Sequence, residues 1–495
     1  MKVTGADTRD DGEEQCPASF EVCGRMAREL KHADLETGSE IIVNIKVDSS
    51  LSSQHGSGET DAVDSHMDDG EWRMARSVAI SRVRAQLSGA DDDGIYAPHC
   101  VPIGPYHLSR SSPAIEKEKT RCVSLLQSLS AEPLMDLMEK LEPLARQSYA
   151  DGVGDMTPEQ LSSMLLSDGC YLLQFFVGYD APGSRAPTAR IDEQRPAAPP
   201  AAAVSRNTFV RDTVFLLENQ IPLLVLQRLH ERVTGGTSSS ALHHIAVAAP
   251  VQELLQKMLF ISMKPRPPPP PPTCSHLLHL VHAYLQPAAA GTSTASRRPT
   301  GRWRRALEYR RYANVGFKPR KLADDEVSSV LDVRLQGGTL SIPRLRVDGN
   351  TWTILRNLMA LEEQAAHLRR RPVTAYCVFM SQVACTAEDV GILRRAGVVD
   401  HFLRNDKQVA QGFAGLFAGG VAMEADDTIG YLTPMWHELE ERCSAPLHNF
   451  MGFFLHKYGD NLFDRLVFSV ALILFVLEAM QVVYAALAYH KPKAH

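Results

Sequence analysis

Residues Leu466–Tyr489, LVFSVALILFVLEAMQVVYAALAY, form a run of 24 in which only Glu478 and Gln481 are strongly polar. At about 1.5 Å rise per residue, such a helix reaches roughly 36 Å, enough to cross a bilayer with tilt. The expectation is one C-terminal transmembrane helix at 466–489, with HKPK opening a short basic tail, 490–495. The first residues, MKVTGADTRDDGEEQ, lack the apolar core of a signal peptide. The span therefore reads as the tail anchor of a single-pass protein of the plasma membrane or an endomembrane, with its body on the cytosolic side. Lys491 and Lys493 pull the other way under the positive-inside rule. The lipid bilayer is the first partner this reading implies.

Glu478 and Gln481 are three residues apart and share a helix face. A mid-span carboxyl group is costly unless it is neutralised or partnered, so the pair marks a candidate seam for intramembrane association. Small Ala485, Ala486 and Ala488 on nearby turns favour such a contact, including a homo-oligomer through the membrane helix.

Ahead of the span the chain reads as mainly α: a multi-helix body with a small β-hairpin. Residues 1–71 mix acidic and small polar residues and read as a disordered arm. The body occupies 72–465. Helical spacing is expected in EWRMARSVAISRVRAQL, from Glu71 to Leu87, whereas GIYAPHCVPIGPYHL, Gly94–Leu108, reads as a compact turn. Helical patterns follow at 114–150 and Pro158–Tyr179. An Ala/Pro-rich insertion at 181–207 and a polyproline linker at 264–273 cannot bury a core. Alternating runs flank Gly337-Gly338 within Val330–Val347 and predict a hairpin, after which helices resume from Thr351 to about residue 420.

Between Arg211 and Val233, the apolar run RDTVFLLENQIPLLVLQRLHERV carries Glu218, Asn219 and Gln220 at its centre. Pro222 lacks an amide donor and biases Ile221 away from helical geometry. One helix is expected to end near Asn219 and the next to start at Pro222, with Asn219 or Gln220 satisfying amides at the corner. A recognition site built on the corner is the functional alternative.

The formal charge of -6 over 495 residues gives no basic surplus, so nucleic acid is excluded as a general partner. Nine cysteines without a C-x-x-C pair read as reduced thiols. His276, His279 and His282, with Cys274 nearby, repeat at every third residue, but the outer two histidines are rotated by roughly 120° on a helix. They read as half-buried histidines of an amphipathic helix, with no metal and no cofactor. Phosphate-loop, nucleophile-elbow and zinc-protease motifs are missing, so no catalytic residue is assigned. The stretch Arg297–Lys321 has ten Lys/Arg, one acid and interleaved Trp303, Tyr309 and Tyr312. It reads as a solvated face, with anionic lipid as the alternative contact.

Taken in order, several blocks resemble a plant family, domain of unknown function 247. They are APHCVPIGPYH (Ala97–His107), IEKEK (Ile115–Lys119), MLLSDGCYLLQFF (Met164–Phe176) and VRDTVFLLENQIPLLVLQRL (Val210–Leu229). NVGFKP (Asn314–Pro319), Gly337–Gln364, Ala375–Val399 and the terminal apolar helix extend the likeness. Pro102 replaces a usual serine, NVGFKP lacks the usual lysine before its phenylalanine, and Glu478 replaces a smaller neutral residue. The resemblance implies a mostly helical single-pass plant membrane protein without established enzymatic activity. Some grass members are implicated as pollen-side determinants of self-incompatibility, which implies protein recognition in signalling with an unknown protein partner. The alternative is a membrane-associated enzyme whose site gathers near Asp168 and Glu218.

Overall fold

The computed structural model describes residues 79–84, 94–179, 205–235, 274–287, 302–321, 329–365, 371–417, 430–444 and 462–489. The expected arm at 1–71, the polyproline linker, nearly all of the 181–207 insertion and the basic tail lie outside the described residues.

The first helical group starts from a short 3₁₀ helix, Pro105–Arg110, and contains α1 (Pro113–Leu129), α2 (Leu134–Gln147), α3 (Pro158–Phe176), α4 (Arg206–Phe215) and α5 (Leu223–Thr234). Its centre is α3, which packs against α1, α2 and α5. The sequence explains this placement. Thr157 and Gln160 form a reciprocal capping box ahead of Pro158, and apolar residues then surround the helix, from Leu161 to Phe176. A Cβ on Gly169 would lie 2.5 Å from Leu229, so the bare backbone lets α5 approach.

The second group holds α6 (Leu277–Leu285), α7 (Ala306–Tyr312), α8 (Thr351–Gln364), α9 (Pro372–Val383), α10 (Ala387–Arg395), α11 (Asp406–Gly415) and α12 (Thr433–Ser444). Helices α4 and α6 pack together and both touch α8, which joins the groups into one continuous apolar core. The hairpin forms as the turn chemistry demands: β2 (Arg334–Gln336) and β3 (Thr339–Pro343) run antiparallel about Gly337 and Gly338, at φ 56 and 81. Two pairings were not legible in the sequence. Strand β1 (Gly316–Arg320) adds to β3 in parallel, and β4 (Leu345–Val347) pairs in parallel with β5 (Val399–His401). These strands are three to five residues long, too short for a period to show.

Three expectations need correction. Residues 79–84, expected to be helical, run extended: Ile80 bridges Tyr149, because backbone bonds to Ser148 and Ala150 satisfy it. Helix α4 ends at Phe215, short of Asn219, because Asn219 and Gln220 capture backbone groups of their own. Third, among the described residues no helix is long and apolar enough to cross a membrane, which overturns the transmembrane reading of Leu466–Tyr489. That run is helical, as α13 (Leu462–Tyr489). Glu478 and Gln481 break its apolar run, and both stand exposed on the helix. A bilayer core takes about 20 apolar residues. The bilayer as partner and a single-pass location lose their support with it.

Candidate functional site

The residues from Ala97 to Gly104 enter the interior without regular structure, and Ala97 to Pro98 and Val101 to Gly104 are buried. Backbone groups there have no ladder to join, so side chains must satisfy them. The family-like blocks supply those side chains. From α4, Asp212 Oδ2 accepts the amides of Cys100 at 2.8 Å and Val101 at 3.0 Å. From the α4–α5 junction, Asn219 Oδ1 accepts Ile103 N at 2.8 Å, and its Nδ2 donates to the carbonyls of Val101 and Asp212, each at 2.9 Å. From α3, Asp168 Oδ2 accepts Gly104 N at 2.8 Å. From α1, Lys119 Nζ donates to Pro102 O at 3.0 Å.

These groups also hold one another. Lys119 Nζ lies 2.7 Å from Asp168 Oδ1, with the two side chains 2% and 1% exposed, and 3.1 Å from Glu116. Burial alone would lower the lysine's pKa, but the two carboxylates outweigh it and hold the ammonium above its usual range. Asp168 is moved upward by burial, against the pull of Lys119 and the Gly104 amide. Arg211 pairs with Asp212 and contacts His99 at 3.2 Å. The arrangement is a polar clamp closed on a length of main chain.

Gly104 shows how close the approach is. Its φ is +69, and a Cβ there would stand 2.4 Å from the Gln220 carbonyl oxygen. Gln220 meanwhile places its Nε2 among the carbonyls of Thr213, Val214 and Leu216, the open end of α4, and its Oε1 accepts Leu278 N at 3.3 Å. The polar triplet is thus a helix junction, and also the place where two helices and the Ala97–Gly104 segment are tied together.

Glu218, the other residue of the enzyme alternative, accepts Val83 N through Oε1 at 2.7 Å. His107 Nε2 stands 3.2 Å from its Oε2, without hydrogen-bond alignment, so this contact attracts only when the imidazole is protonated. Tyr106, beside it, is pushed up to about 12 by burial and the nearby Asp151 charge. Asp168 and Glu218 are therefore both committed to backbone amides, of different segments.

The histidines do not converge. His276 caps α6, its Nδ1 accepting His279 N at 3.3 Å, while His282 Nε2 contacts Glu362 at 2.9 Å. Burial drives His276 well below the usual imidazole range, with His279 adding to the effect. Among the described residues, no group of three or more His, Cys, Asp or Glu is placed to hold a metal ion. In the basic stretch, Trp303 and Tyr309 face the core, Arg304 grips Glu440, and Arg305 grips Asp389. Glu478 and Gln481 sit exposed on α13.

Sequence reading missed two buried anchors. Asn357 of α8 accepts Leu217 N at 2.8 Å and donates to Ile95 O at 3.1 Å. Glu362 receives Val373 N, Thr374 N and the Thr374 hydroxyl at the start of α9, at 2.7 to 2.9 Å. The available signal was a polar residue on the buried face of an amphipathic helix.

The model of a family described as plant protein of unknown function, domain of unknown function 247, matches residues 80–477. A UPF0481 protein of Arabidopsis thaliana is 25% identical over 426 residues, spanning 80% of this chain and 84% of that protein. No solved structure matches the chain. With the match running from the Ile80 bridge into α13 and containing every residue of the clamp, the chain belongs to this plant family of unknown function.

Proposed function

We propose that this protein works by recognising another protein, as a non-catalytic adaptor in signalling, with self-incompatibility-like recognition as the narrower form of that role. One observation carries the reading: the polar residues a catalytic site would recruit are engaged with the protein's own main chain. Asp168, Asp212, Glu218 and Asn219 each accept at least one backbone amide. A carboxylate with that duty is a poor proton shuttle, because protonation removes an acceptor from a buried amide. The clamp serves to hold a surface in shape.

The test is proximity labelling in plant cells with the wild type and with Glu218→Gln, matched for folded protein. Both are expected to label the same proteins. The reading fails if Glu218→Gln keeps the wild-type melting temperature yet loses conversion of a small molecule that purified wild type turns over in untargeted metabolite profiling.

A further inference from the structure

Five cationic or titratable side chains gather on two carboxylates, one set on the solvent side of β4 and β5, where Arg344, Arg346 and Asp400 alternate with buried Leu345, Val347 and Val399, and the other at the start of α11. Arg344 Nη2 lies 3.0 Å and Arg346 Nε 3.6 Å from Asp400 Oδ2. Arg394 Nε lies 3.1 Å and His401 Nε2 2.8 Å from Asp406 Oδ1. The fifth, Arg395, reaches the same place: a Cβ built on Gly391 would meet both its guanidinium and Asp406 at 3.3 Å. On the solvent side of the strands, two arginines against Asp400 leave one positive charge in surplus, with Arg404 and Lys407 exposed on the residues that follow β5.

Beside Arg346 stands Phe402, 71% exposed, the most exposed large apolar side chain among the described residues. The Arg346 guanidinium covers one face of its ring at 5.6 Å. The backbone bond from Phe402 N to Val347 O fixes the residue to the end of β4, so the ring is presented by a held element. Two nitrogens remain without hydrogen-bond partners here: Arg346 Nε and, on a side chain only 9% exposed, His401 Nδ1.

We propose that the solvent face of β4 and β5 docks an acidic segment of a partner protein, which sets an apolar side chain on Phe402 and carboxylates against Arg344 and Arg346. Asp400 already shows the ligand chemistry these guanidinium groups take. Asp400 also argues for a peptide over nucleic acid, because a fixed carboxylate between the arginines interrupts the path a continuous phosphate backbone would follow. An aromatic anchor with arginine against its ring is the composition of a binding hot spot. The inference rests on the protein-recognition reading and gives it a surface and a partner chemistry.

The experiment uses the full-length chain and a short fluorescein-labelled peptide rich in aspartate and glutamate with one central leucine, at about 0.15 M ionic strength. Fluorescence anisotropy is expected to show saturable binding that added salt weakens and that Phe402→Ala or Arg346→Glu weakens at least about tenfold. Both positions are at the surface, and an unchanged melting temperature confirms that the fold is kept. No binding, binding indifferent to both variants, or tighter binding of single-stranded DNA overturns the proposal. Proximity labelling with the same variants separates the two readings. A partner set that both variants lose supports the surface; one that both variants keep overturns the surface but leaves protein recognition standing; and no specific partner for wild type removes the recognition reading itself.

Discussion

Lys119 and Asp168 face each other almost without solvent, and each has a second duty on the Ala97–Gly104 segment. Removing one partner leaves the other as an uncompensated buried charge. Lys119→Met is therefore expected to destabilise the protein by about 3 to 5 kcal/mol in urea denaturation, and adding Asp168→Leu should restore part of that loss. If the single variant denatures with the wild type, the pair is not buried as described. Gly104→Ala tests the same place through the backbone. Positive φ and the Gln220 carbonyl at 2.4 Å both oppose a Cβ, so a loss of at least about 2 kcal/mol is expected.

His276 gives the residue scale its pH dependence. Burial favours the neutral ring, so its folded pKa lies well below that of a free imidazole. An unfolded chain takes up that proton first as the pH drops. The contribution is thus complete above about pH 6.5 and is lost as pH falls through the folded pKa, with a limiting slope of about 1.4 kcal/mol per pH unit. Melting temperatures measured from pH 7.5 to pH 5 should fall less steeply for His276→Asn, whose amide oxygen can keep the cap. Equal slopes would contradict the assignment.

At the scale of elements, the helices and turns whose pattern is written locally were legible: the apolar spacing from Pro158 announces α3, and Gly337-Gly338 announces the hairpin. The junction between α4 and α5 was legible in kind and displaced in place, because the side chains that end α4 act through carbonyls behind them and amides far ahead. What stayed hidden were pairings between segments distant in sequence. Ile80 joining Tyr149, Gly316 opposite Thr339 and Leu345 opposite Val399 carry no local pattern. The terminal apolar run misled for a related reason, since composition reports apolarity and leaves open what the run is packed against. The extended piece 79–84 yields its own prediction. Ile80 is 1% exposed, and Ile80→Ala should cost about 2 to 5 kcal/mol. A cost near zero would mean that the piece lies on the surface.

Across the whole molecule, the first four blocks that carry the family likeness meet in space around one irregular segment, although they are spread from Ala97 to Leu229 in the chain. Of the residues of the clamp, sequence reading singled out Asp168, Glu218, Asn219 and Gln220 but not Lys119, Asp212 or Gly104, because which backbone a side chain binds is decided by tertiary placement. The central claim is that these polar residues clamp main chain. Hydrogen exchange of the full-length protein, followed through the amides of Cys100, Val101, Ile103 and Gly104, measures it directly. The account predicts protection close to that of the α3 core, lost at Ile103 and its neighbours in Asn219→Ala. Exchange of these amides at the rate of exposed loops in the wild type would contradict it.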